Sequence, residues 1–162
     1  MSRNVRLALA ALVPLIAACE AKTADAPANP TGHLFTSASA GFGLDLPTVW
    51  AGRYRATDSV TTPAAGLERE IAFRFLKSDS TVESAPLMVV RIFKTDIWRT
   101  IPADAAAGLY GTVIASDDAR TVAVRTAPGN PLTAGTADAL AFDSLMMIVL
   151  ERPLRASLRP TP

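Results

Sequence analysis

Leu87–Phe93, LMVVRIF, is the stretch from which the fold can be read. Six of its seven residues are apolar and Met, Val, Ile and Phe dominate, a composition that suits a strand buried on both faces. It is therefore expected in the middle of a sheet. Arg91 alone interrupts the run, and a cation there must reach a sheet edge, a carboxylate or a pocket, with ion pairing the default expectation.

Upstream, Glu68–Phe75 alternates with period two, so Ile71, Phe73 and Phe75 share one face and Glu70, Ala72 and Arg74 the other. Tyr54–Val60 reads as its neighbour across the loop Thr61–Gly66, TTPAAG. Phe42–Leu46 alternates in the same way and Pro47 ends it, His33–Thr36 is a short first strand, and Trp50 falls in a turn from which its ring can cap one end of the core. Downstream, Thr95–Ala107 reads as a helix that Thr95 can cap, with Asp96 in its first turn and Ile97, Ile101 and Ala105 at helical spacing; Pro102 predicts a break into two pieces. Tyr110–Ser116 and Thr121–Thr126 are strand-like runs, joined as a hairpin by Asp117-Asp118-Ala119-Arg120. Pro128–Pro131 is a loop.

The last predicted element is a helix over Thr133–Leu150, with Phe142, Met146, Val149 and Leu150 in an apolar stripe, Leu145 at its margin, and Asp138 and Asp143 toward the opposite side. Pro153 stops it, and residues 153–162 are expected to be a disordered tail. These elements predict one α+β domain over 33–152: an antiparallel sheet of about six strands, one inserted helix and one C-terminal helix packed on it.

The amino end has a different character. Arg3 and Arg6 precede an uninterrupted apolar stretch, Leu7–Ala18, and small residues lead to the single cysteine, Cys19, which is the layout of an export signal. Twelve residues make about 18 Å of helix, against a hydrocarbon core of roughly 30 Å, so this stretch is too short to stay as a span. Ile16-Ala17-Ala18-Cys19 resembles a bacterial lipobox. That resemblance implies cleavage between Ala18 and Cys19, a diacylglyceryl group on the Cys19 thiol, and a further acyl chain such as palmitate on the new amino terminus. Two or three chains anchor a protein far more firmly than one. The alternative is a plain signal peptide, with Cys19 left as a free thiol.

Residues 19–32 then form the anchor and a polar, Pro-punctuated tether that spans about 45 Å at full stretch. Aspartate after a lipidated cysteine resembles an inner-membrane retention signal. Glu20 is similar but not the same, so the periplasmic face of the outer membrane is the expected address. Removing residues 1–18 from the 162 leaves 144, enough for one core, with 14 basic and 15 acidic residues. No basic cluster favours nucleic acid, and one cysteine excludes a disulfide within the chain.

The stretch GFGLDLPTVWAGRY (41–54), the run PLMVVRIFKT (86–95) and the closing hairpin and helix resemble bacterial lipoproteins similar to the PsbP-like α/β/α sandwich. The resemblance covers Gly41–Leu150 and implies accessory or binding factors without catalysis.

The chemistry-bearing residues are few. His33 is the only histidine, so a metal site lacks the further ligands it needs; a Ser-His-acid triad would take His33 as base with Ser37 or Ser39, but these lie in a SASAG loop and no G-x-S-x-G occurs, nor any Walker or G-x-G-x-x-G motif. No metal or cofactor is expected. Trp50, Tyr54, Trp98 and Tyr110 are the candidate binding surface, because Trp and Tyr anchor interfaces. The favoured reading is a membrane-anchored envelope domain that binds a protein partner or small ligand without catalysis. The competing one is an envelope hydrolase with paired carboxylates drawn from Asp45, Glu68, Glu70, Asp117 and Asp118, which must converge in one cleft about 5–10 Å apart.

Overall fold

A computed structural model of the chain describes residues 32–60, 66–78, 83–151 and 154–158. The export signal, Cys19, the tether to residue 31, most of the Thr61–Gly66 loop, Pro153 and the last four residues lie outside them.

The chain is α+β, with antiparallel strands throughout. Instead of one six-stranded sheet, the described residues form eight strands in two sheets. One has the order β1-β2-β8, from β1 (Gly32–Ser37), β2 (Phe42–Pro47) and β8 (Arg155–Leu158). The other has the order β3-β4-β5-β7-β6, from β3 (Tyr54–Val60), β4 (Leu67–Leu76), β5 (Glu83–Lys94), β7 (Arg120–Thr126) and β6 (Thr112–Ser116). The chain leaves the first sheet at Pro47, through the 3₁₀ turn Thr48–Trp50. The expected disordered tail is corrected here: Arg155–Leu158 pairs with β2, placing Ala156 and Leu158 against the core, because β2 has a free ladder edge to fill and RASL alternates with period two.

β5 is the central strand of the larger sheet, as its composition demands. Met88, Val90 and Ile92 turn to the core beside Ile71, Phe73 and Phe75 of β4. A bulge in the β4–β5 register leaves Leu87 without a partner residue on β4. On the opposite face Arg91 donates from Nε to Glu70 Oε2 at 2.9 Å, directly across the ladder, so the one charge within the apolar run is paired.

Helix α1 (Thr95–Trp98) and helix α2 (Ala103–Tyr110) are the two pieces foreseen at Pro102. Thr95 does not cap α1. Its hydroxyl donates to the Asp117 carbonyl at 2.9 Å and meets Thr121 Oγ1 at the same distance, tying the end of β5 to the β6–β7 turn. Tyr110 ends α2 rather than opening a strand, because Gly111 at φ +92° makes the turn into β6; a Cβ there would collide with the Val124 carbonyl.

Helix α3 runs Ala137–Glu151, capped by Thr136, whose Oγ1 accepts from the Ala139 amide at 3.2 Å. Ala139, Phe142, Leu145, Met146 and Val149 form its buried stripe, so Leu145 belongs inside it, whereas Leu150 is 73% exposed. With Leu140 and Met147, Leu150 leaves apolar side chains on the outward face as well. Phe142 meets Phe75 edge-on at 5.8 Å, and the Trp50 indole N–H donates to the Leu145 carbonyl at 3.3 Å.

Phe142→Ala would leave a cavity between α3 and the sheet and is expected to cost about 3–5 kcal/mol in urea unfolding. A second contact seats the start of α3: the Ser78 amide and hydroxyl donate to Asp138 Oδ1 at 3.0 and 2.9 Å. These bonds hold the Asp138 carboxyl below its ordinary range. Because the folded value is depressed, the stabilisation is present above the ordinary carboxylate range and lost as pH falls through the folded value. Wild type should therefore lose more unfolding free energy than Asp138→Asn between pH 7 and pH 3, measured in parallel urea titrations.

Candidate functional site

The four aromatic residues expected to bind fall into two separate clusters. Trp50 is fully buried, so it is a core residue that caps the domain from within. Tyr54, half-buried, lies 5.9 Å from the Trp50 ring and 5.4 Å from Phe73, and burial raises its phenol above the ordinary range. His33 stands edge-on to Tyr54 at 6.2 Å, exposed at the opposite end of β1 from Ser37, about 13 Å away at strand rise. Trp98 and Tyr110 instead flank Phe93, at 4.9 and 4.8 Å, where α1 and α2 cover the outer face of β5. No single groove unites the four.

The carboxylates separate as well. Asp45 sits on β2 opposite Arg155, and Glu70 is engaged by Arg91. Asp117 is a turn former, its Oδ1 accepting from the Ala119 and Arg120 amides at 2.9 and 2.6 Å. Glu68 and Asp118 do face one depression.

That depression is the candidate site. It lies at one end of the molecule, where the β1–β2 turn, the facing ends of β3 and β4, the β5–α1 junction and the β6–β7 turn meet. Two adjoining hollows of about 300 and 470 Å³ share Glu68 and Arg120 as walls. Ser39, Ala40, Val60, Arg69 and Ile92 complete the first; Lys94, Asp96, Asp118 and Ala119 complete the second. Loops held on a rigid sheet are a common place for binding residues, and among the described residues this end gathers three connections beside the facing ends of β3 and β4.

Arg120 is the hub. It is only 8% exposed, donates from one guanidinium nitrogen to the Ala40 carbonyl at 2.7 Å, and approaches Asp117 Oδ2 at 3.8 Å. The β1–β2 turn is thereby fastened to the β6–β7 turn. Beside it, Asp58 Oδ2 accepts from the Ser37 and Ser39 hydroxyls at 2.7 and 2.8 Å, and Arg69 Nε lies 3.3 Å from Asp58 Oδ1. These serines hold a turn against the Asp58 carboxylate, and His33 stands at the other end of β1. Among the described residues, Glu68, Lys94 and Asp118 make no side-chain hydrogen bond or ion pair, so their charges face the hollow unspent.

Sequence reasoning missed Arg69, Lys94 and Arg120. One signal was present: Arg120 shares its strand face with Val122 and Val124, so period two alone directs it toward the core. Among the described residues no group of three His, Cys, Asp or Glu side chains could hold a metal ion, and no helix is long and apolar enough to cross a membrane. Arg120→Met keeps the aliphatic stem but strands the Ala40 carbonyl. It is expected to cost about 1–3 kcal/mol in urea unfolding of the full chain. Comparison of the chain with protein-family models, curated proteins and solved structures found no match.

Proposed function

We propose that this chain is a lipid-anchored envelope lipoprotein whose domain binds a small ligand or a protein partner in the hollow walled by Glu68 and Arg120, without chemistry of its own. The observation that carries the binding reading is Arg120, nine-tenths buried and bonded to the Ala40 carbonyl, yet forming part of both hollows. A guanidinium fixed in this way presents its charge at little further cost in conformational entropy, which favours recognition. Ile16-Ala17-Ala18-Cys19 supports the anchor, and the polar residues from Glu20 to Thr31 give the domain its reach above the membrane. Charges of both signs around an open hollow suit recognition.

The hydrolase reading keeps one observation in its favour, the shared placement of Glu68 and Asp118. It requires that the full chain release sugars from wall glycan and that Glu68→Gln or Asp118→Asn abolish the release; no turnover is expected from any of the three.

Two measurements test the proposal. Mass spectrometry of the N-terminal peptide should find Cys19 as the first residue, carrying diacylglyceryl and acyl groups, with neither in Cys19→Ala; a different first residue or an unmodified thiol overturns the anchor. A photoreactive residue at Val60, on the rim of the hollow, should give a discrete adduct in cells, whereas the same probe at the exposed Leu109 of α2 should not. Equal labelling from both positions overturns this hollow as the binding site.

A further inference from the structure

Resting on the reading of the hollow walled by Glu68 and Arg120 as a binding site, we infer that it takes a small zwitterion bearing a free carboxylate and a free ammonium group, of the amino-acid or short-peptide class. The charges on its walls decide this. Lys94 and Arg120 stand on the second hollow together with Glu68, Asp96 and Asp118. A purely anionic ligand placed against the two cations would be held beside three carboxylates, and a purely cationic one would meet Lys94 and Arg120. Like-charge contact of this kind is what suppresses wrong partners. A ligand with both charges satisfies the two sets at once.

Which groups are already committed narrows the pose. Arg120 is anchored through the Ala40 carbonyl, and Asp96 Oδ1 accepts from the Ile97 amide at 2.8 Å. Glu68, Lys94 and Asp118 are unengaged among the described residues. Arg120 is already engaged by Ala40 and Asp117, so Lys94 receives the carboxylate, and Glu68 with Asp118 the ammonium. Val60, 75% exposed, and buried Ile92 border the adjoining hollow, an apolar wall for a ligand side chain. Hollows of this size fall within the range of about 300–1,000 Å³ usual for small-molecule sites.

The test uses the full chain in detergent micelles and three probes: alanylalanine, its N-acetyl derivative, which lacks the ammonium, and its amide, which lacks the carboxylate. Saturation-transfer NMR titrations should show saturable binding of alanylalanine, with both capped forms at least tenfold weaker. Lys94→Met should weaken alanylalanine about tenfold while leaving the amide unchanged; Glu68→Gln should weaken it similarly while leaving the N-acetyl form unchanged. Both side chains lie on the rim, and the urea midpoint of each variant verifies folding. A capped probe that binds as well as alanylalanine overturns the zwitterion and leaves the site standing. Absence of saturable binding by all three overturns the zwitterion as well. Alanylalanine binding that ignores both substitutions overturns the hollow as its place, and with it the reading on which this inference rests.

Discussion

The two sheets share no backbone ladder, so what joins them is the burial of apolar side chains between them and α3. Phe42, Leu44 and Leu46 on β2, Ile71, Phe73 and Phe75 on β4, and Phe142, Leu145 and Val149 on α3 belong to one contiguous cluster. With one cysteine in the chain, no internal disulfide can replace that contact. Trp50 is the joint within it, sitting in the turn between the sheets, buried completely, and bonded through its indole N–H to the Leu145 carbonyl. A polar handle on a buried ring must find a partner, so the requirement that places Trp50 also sets α3 against the core.

Polar contacts do a different task at the loop end. Arg120, Asp58, Thr95 and Asp117 are each engaged by backbone or hydroxyl groups from a connection other than their own. Buried polar groups need such partners, and here the partners are loops, so satisfying them also fixes where the loops stand relative to one another. The hollow is what remains between them. Its shape therefore depends on these hydrogen bonds as well as on the apolar cluster that brings the strands together, and the charges of Lys94, Glu68 and Asp118 are added to a frame already held.

The molecule presents two further faces of contrasting character. Outside β5, Phe93, Trp98 and Tyr110 pack together, and the Arg91 guanidinium lies 5.9 Å from the centre of the Tyr110 ring while its Nε engages Glu70. That surface is internally satisfied. The outward face of α3 carries Leu140, Met147 and Leu150 among Asp143, Ser144 and Glu151, so the helix is apolar on more of its circumference than its seat on the core requires.

Much of the local structure was legible in the chain. LMVVRIF lies at the centre of its sheet, Ile71, Phe73 and Phe75 turn to one side, Asp117 forms a turn, and Arg91 finds a carboxylate, each following from side-chain period or from the cost of burying charge. The division into two sheets, the recruitment of Arg155–Leu158 and the displacement of Leu150 from the stripe of α3 were not, because each depends on what stands opposite. The site shows the same boundary. Arg120, expected in the polar turn, instead opens β7 on the face of Val122 and Val124, and nothing local joins residues 40, 68, 94 and 118. Sequence by itself determined which residues alternate, turn and carry charge, since those properties belong to neighbours along the chain. Tertiary structure alone decided which charges share a hollow, since residues distant in sequence come together there only when the apolar core closes.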